Sequence, residues 1–137
     1  MPADFIIDVQ HRLVFSKGEG VFTHADFMEH MARLRRDPRF EPEFDQFVDC
    51  RALTLQLTSE EISDLASRSV FSSRSRRAFV VASSLQFGLS RMFAAYREEK
   101  GHQVTMVFRE LSEALAWLKL PPDWKPPAAD ASAGNPL

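Results

Sequence analysis

The chain has 137 residues, long enough for one domain with a real core and too short for two comfortable ones. At 45% hydrophobic and 26% charged it has the composition of a folded globular protein, and its net charge of −2 argues against general nucleic-acid binding, which needs a basic surplus. The single cysteine, Cys50, excludes an internal disulfide framework and a multi-cysteine zinc site, and it fits a reducing compartment.

The opening residues, MPADFIIDVQHR, carry Asp4 and Asp8 and no long apolar run. They read as neither a signal peptide nor a membrane span, so a cytoplasmic location is the default expectation. Asp4–Val9 and Arg12–Lys17 are short, β-branched and aromatic. With only Gln10 and His11 between them, they predict two strands in an antiparallel hairpin. The glycines of the following GEGVFT, Gly18 and Gly20, are expected to end the second strand. Thr23 then caps a helix, with Asp26 three residues on in the place of the usual Glu. Phe27, Met28, Met31 and Leu34 share one face of it; Arg33, Arg35 and Arg36 suit the dipole of its last turn, and Pro38 stops it.

Gln46–Cys50 reads as the third strand. After a short irregular segment, Thr58 and Glu61 form a capping box that opens a second helix with Ile62, Leu65 and Ala66 as its apolar stripe. Beyond the polar loop SSRSRR, Arg77–Ser84 is nearly continuously apolar, the pattern of a strand buried on both faces. The next helix places Leu85, Leu89, Met92, Phe93 and Tyr96 on one side and stops at Gly101. Gln103–Phe108 is a fifth strand. A last helix turns Leu111, Ala114, Leu115 and Leu118 inward before Pro121 and Pro122.

Residues 1–120 are thus expected to form a single α/β domain around a mixed five-stranded sheet: an N-terminal antiparallel hairpin, then helices alternating with largely parallel strands. Residues 121–137, rich in Pro and Ala, read as a disordered tail. The chain has 12 Phe against 1 Tyr and 2 Trp. Most of these rings belong in the core; the alternative is that a few line an apolar pocket or a dimer face.

Four phrases, GEGVFTHADF, DPRFEPEFDQFVDCRAL, RRAFVVASSLQFGLSRMFAAY and VFRELSEALAWL, together resemble the small bacterial proteins grouped as SpoIIAA-like, related in fold to the anti-sigma-factor antagonist (STAS) domains. The resemblance runs from about Phe5 to about Leu118. It implies a mixed sheet with packed helices, no cofactor, and work by binding; regulatory members bind a kinase or partner protein and are switched by phosphorylation. Some larger relatives of the fold bind lipids in an apolar pocket. The switch is a serine at a strand-to-helix corner, in a motif close to Asp-Ser-Ser-Gly. The equivalent corner here is Asp49-Cys50-Arg51-Ala52-Leu53: the Asp is present, both serines and the glycine are absent, and Cys50 stands where the modified serine is expected.

Binding sites of open α/β sheets lie beyond the carboxyl ends of the parallel strands. Those ends carry Asp49 and Arg51, then Ser83 and Ser84, then Arg109, which makes these five the candidates for a ligand or partner site. The plainer alternative is that Asp49 and Arg51 pair with neighbours and that Ser84 caps a helix. RSVFSSRSRR has the strongest local charge bias. Arg68, Arg74, Arg76 and Arg77, with Phe71 as an apolar anchor, form a candidate interaction loop for an acidic partner or anionic headgroups; a solvated loop is the alternative. The four histidines have no metal spacing and no nucleophile–base constellation is visible, so no metal and no catalysis are expected, beside the absence of a cofactor that the resemblance implies. Two functions remain open. One is a protein-interaction or regulatory module that binds another protein or itself as a homodimer. The other is a carrier or sensor of a small apolar or lipid-like ligand, held beneath the third helix among Phe87, Leu89, Met92 and Phe93. Neither nucleic acid nor an integral membrane segment belongs to either.

Overall fold

The computed structural model describes residues 3–99 and 105–127. In chain order it has β1 (Ala3–Asp8), β2 (Leu13–Thr23), α1 (His24–Arg36), β3 (Asp45–Gln56), α2 (Ser59–Ser67), β4 (Arg77–Val80), α3 (Ser84–Glu99), β5 (Thr105–Phe108) and α4 (Leu111–Trp117). The five strands form one sheet in the order β1-β2-β3-β4-β5, antiparallel between β1 and β2 and parallel from β2 onward. Because neighbouring strands follow one another in sequence, crossovers of a single hand place their helices on a single face. Accordingly α1, α2 and α3 pack on one face around Met31, Ile62, Leu65 and Phe93, while α4 covers the other with Ala114 and Leu115 against Phe15, Phe47, Ala78 and Val80.

Local chemistry accounts for the starts of α1, α2 and α3. Thr23 accepts from the backbone N–H of Asp26, whose carboxylate accepts from the N–H of Thr23; Thr58 and Glu61 do the same for α2. Each box satisfies two orphaned backbone donors, and losing such a cap costs about 1 kcal/mol. The cap of α3 falls to Ser83 rather than Ser84: Ser83 Oγ accepts from the N–H of Gln86, and Gln86 Oε1 accepts from the N–H of Ser83. Arg76 closes α4 at its other end, donating to the carbonyls of Trp117 and Leu118 while its guanidinium pairs with Asp45.

All twelve phenylalanines sit in or against one of three apolar clusters, so the excess of this residue builds the interior and supplies no surface patch. Trp124, in the segment read as tail, also packs inward: its ring lies 5.6 Å from that of Phe15 and its Nε1–H donates to Asp8. Residues 128–137 lie outside the described residues, as do Gly101, His102 and the first two residues, 103 and 104, of the expected fifth strand.

Four boundaries differ from expectation, the first being β4, which ends at Val80 and not at Ser84. The hairpin loop holds four residues, Val9 to Arg12, because Arg12 takes a left-handed conformation (φ 52°) and the ladder closes at Asp8 and Leu13. β2 does not end at its glycines but runs on to Thr23, with Gly20 at φ 81°, where a side chain would be strained. β3 does not end at Cys50 but runs on to Gln56. The last two extensions are one event, since Glu19 to Thr23 pair with Ala52 to Gln56.

Candidate functional site

At the bulge in β3, Lys17 and Glu19 of β2 face Asp49 and Ala52, so Gly18 stands opposite two residues, Cys50 and Arg51. The extra residue resets the alternation. Val48 and Cys50 face the α1–α3 side before the bulge, and Leu53 and Leu55 do so after it, although Cys50 and Leu53 are an odd number of positions apart. The expected strand-to-helix corner is therefore a mid-strand bulge.

Its polar groups are satisfied within the protein. The Asp49 carboxylate accepts from the N–H, Nε and Nη2 of Arg51 at 3.1, 3.0 and 2.9 Å. Burial pushes the Asp49 carboxyl up, but those hydrogen bonds and the charges of Arg51 and Lys17 outweigh it and leave its pKa below the ordinary value. Cys50 is buried, and burial together with the Asp49 charge pushes its thiol to about 12, so it stays protonated. Gln86 secures the bulge from α3: its Nε2 donates to the carbonyls of Cys50 and Leu53, each at 2.8 Å, while its Oε1 accepts from the N–H of Ala82. Sequence reading passed over Gln86, although Ser83-Ser84-Leu85-Gln86 before an apolar run is a capping-box signature. Ser83 is engaged in that cap, Ser84 is exposed, and Arg109 lies with its guanidinium 4.7 Å from the centre of the Phe87 ring. Four of the five candidate residues thus divide among a bulge, a helix cap and a cation–π contact, and Ser84 is exposed.

The basic segment divides as well. Arg68 pairs with Asp64 at 2.8 Å, Arg76 clamps Asp45 and α4, and Arg74 is exposed. Phe71 and Arg77 point inward, with 8% and 6% of their surfaces exposed.

Between the sheet and α1–α3 lies a cavity of about 80 Å³, lined along β3 from Gln46 through Leu55. Its wall is largely apolar, with Phe22, Phe27, Met31, Ile62, Phe79 and Phe93 among the side chains that form it. At the amino-terminal end of the parallel strands the wall becomes polar. His30 Nε2 and Ser16 Oγ are 2.9 Å apart, Gln46 Oε1 accepts from Arg77 Nε at 2.6 Å, and Arg77 Nη2 donates to Ser69 Oγ at 3.0 Å. All five of these side chains line the cavity. Two of their atoms are buried without a hydrogen-bond partner, His30 Nδ1 and Arg77 Nη1. Burial, reinforced by the charge of Arg33, drives the His30 pKa down to about 4, so the ring is neutral at pH 7. Burial and the charge of Arg97 bring Arg77 to about 9, which still leaves it a cation at pH 7.

No protein-family model and no curated protein matches the sequence. Among solved structures, the chain is similar to an uncharacterized protein of the DUF3478 family with a SpoIIAA-like fold from Shewanella loihica PV-4. The two share 21% identity with a TM-score of 0.50, over 77% of this chain and 83% of that one. The fold is SpoIIAA-like. A SpoIIAA-like frame accounts for the mixed five-stranded sheet and its four helices. Among the described residues, no group of three or more His, Cys, Asp or Glu is placed to hold a metal ion, and no helix is long and apolar enough to cross a membrane.

Proposed function

We propose that this SpoIIAA-like domain binds a small apolar ligand in the cavity beneath α1–α3 and acts as its carrier or sensor. The observation that supports this is the cavity itself. Protein interiors are close-packed, and space of this size within an apolar wall forgoes dispersion contacts that a ligand would restore. Leu89 and Phe93 of α3 lie in that wall, while Phe87 and Met92 pack beside them against the same cluster.

Native mass spectrometry of gently purified protein tests the reading. A reproducible added mass that is lost on denaturation is the expected result. The bare polypeptide mass, with no gain in melting temperature from small apolar compounds, would overturn it.

Self-association is the second reading. It is favoured by Leu85, Met106 and Leu111, exposed large apolar side chains in the first turn of α3, on the edge strand β5 and at the start of α4. In that case the same spectrum shows a dimer at twice the bare mass, and Leu85→Lys returns it to monomer.

A further inference from the structure

We infer that the cavity's ligand is a small carboxylic acid with an apolar body, and that Arg77 receives its carboxylate. The inference rests on the cavity reading and adds the ligand's charge to it. Arg77 opens β4 and is 6% exposed, so its guanidinium is removed from water, a position in which an arginine is normally paired with an acid. Yet none of the ion pairs among the described residues includes Arg77. Among the described residues its only side-chain acceptors are neutral, the amide of Gln46 and the hydroxyl of Ser69, and Nη1 has none. The rings of Phe71 and Phe93 lie 5.2 and 5.0 Å from the guanidinium and offset part of the cost, but they supply no negative charge.

A second buried cation deepens the deficit. Arg97 of α3 is 3% exposed, donates to the Ala66 carbonyl, and with Arg77 lines a small cleft beside Ser75 and Thr105. Two buried guanidiniums with no acid paired to either among the described residues form a positive site that suits an anion. Arg77 also lines the apolar cavity, so the anion it receives belongs to a molecule whose remainder is apolar. With Nε on Gln46 and one Nη2–H on Ser69, the donors left are those of Nη1 and the second Nη2–H, and a carboxylate suits them in a forked pair of hydrogen bonds. The volume of about 80 Å³ sets the body at a handful of carbons or one small ring.

Calorimetric titration of the purified, ligand-stripped protein with hexanoate and with 1-hexanol at pH 7 tests the inference. The two probes share a chain and differ in head-group charge. Hexanoate should bind the wild type at least about tenfold more tightly than 1-hexanol, the margin of one charge-assisted pair. Arg77→Met should abolish that preference while 1-hexanol still binds, and the exposed Arg109→Gln should leave it intact. Equal affinity of the two probes for the wild type would overturn the inference and spare the cavity reading; this comparison needs no variant to fold. A preference that survives Arg77→Met would likewise remove Arg77 from the site. Binding of neither probe would overturn the cavity reading and this inference with it.

Discussion

The two ends of the parallel strands are built from the same kinds of residue and behave in opposite ways. At the carboxyl end, Asp49 holds Arg51, Ser83 caps α3, and Gln86 closes the carbonyls that the bulge opens. At the amino end, among the described residues, Arg77 is paired with no acid, and Arg77 Nη1 and His30 Nδ1 have no hydrogen-bond partner. Buried polar groups in folded proteins are almost always satisfied, so an end at which they are not is the one with capacity left over for another molecule. Position relative to the strands pointed to the carboxyl end; hydrogen-bond accounting points to the other.

Breaking the satisfied end should have the largest effect. Gln86→Ala leaves the Cys50 and Leu53 carbonyls and the Ala82 N–H without their partner and is expected to cost about 3 kcal/mol in denaturant unfolding. At the other end, protonation supplies a perturbation of similar size. The folded chain keeps His30 neutral down to about pH 4, whereas its unfolded value is 6.5. Between those values the unfolded chain holds a proton that the folded chain lacks. Stability present above pH 6.5 should therefore fall by about 3 kcal/mol as the pH drops to 4. His30→Gln should flatten that slope in a series of unfolding curves. Below this window the depressed carboxyls of Asp8 and Asp49 come into play. Their contribution is present above the ordinary 3.8 and is lost as the pH falls further.

Relieving the unsatisfied end should have the opposite sign. Arg77→Met replaces an uncompensated buried cation with an apolar side chain of similar length and should stabilise the ligand-free protein by about 2 kcal/mol. Destabilisation of that size would mean that Gln46, Ser69 and the two rings already satisfy the guanidinium. The smallest effect belongs to Arg109→Ala, which removes an exposed cation–π contact with Phe87 and should cost only about 0.5 kcal/mol.

Much of this architecture was legible in the residues. Thr23 with Asp26 and Thr58 with Glu61 announce helices through local hydrogen bonds, and the continuous apolar run after Arg77 announces a strand covered on both faces. The resemblance to SpoIIAA-like proteins led to the fold that the structural comparison supports. The long extensions of β2 and β3 were not legible, because each is held by the other across 33 positions of sequence (Glu19 with Ala52 through Thr23 with Gln56) and the bulge breaks the alternation that would have marked β3. The basic segment was misleading for a related reason. Charge composition describes it as one solvated run, but Arg77 is the first residue of the buried strand and goes inward with it, while Arg76 next to it turns out to Asp45. A strand sends neighbouring side chains to opposite faces, so adjacent arginines acquire unrelated tasks.

The central claim is that the space between the sheet and α1–α3 is a ligand site, and the sheet itself provides the control. The direct measurement is a methyl NMR titration of the isotope-labelled protein with hexanoate. Ile62, Leu53, Leu65 and Leu89 line the cavity, while Leu115 and Leu118 lie on the α4 face. The account predicts saturable shifts of the first group with the second group unmoved. Shifts confined to Leu115 and Leu118, or to the exposed Leu85 and Leu111, would contradict it.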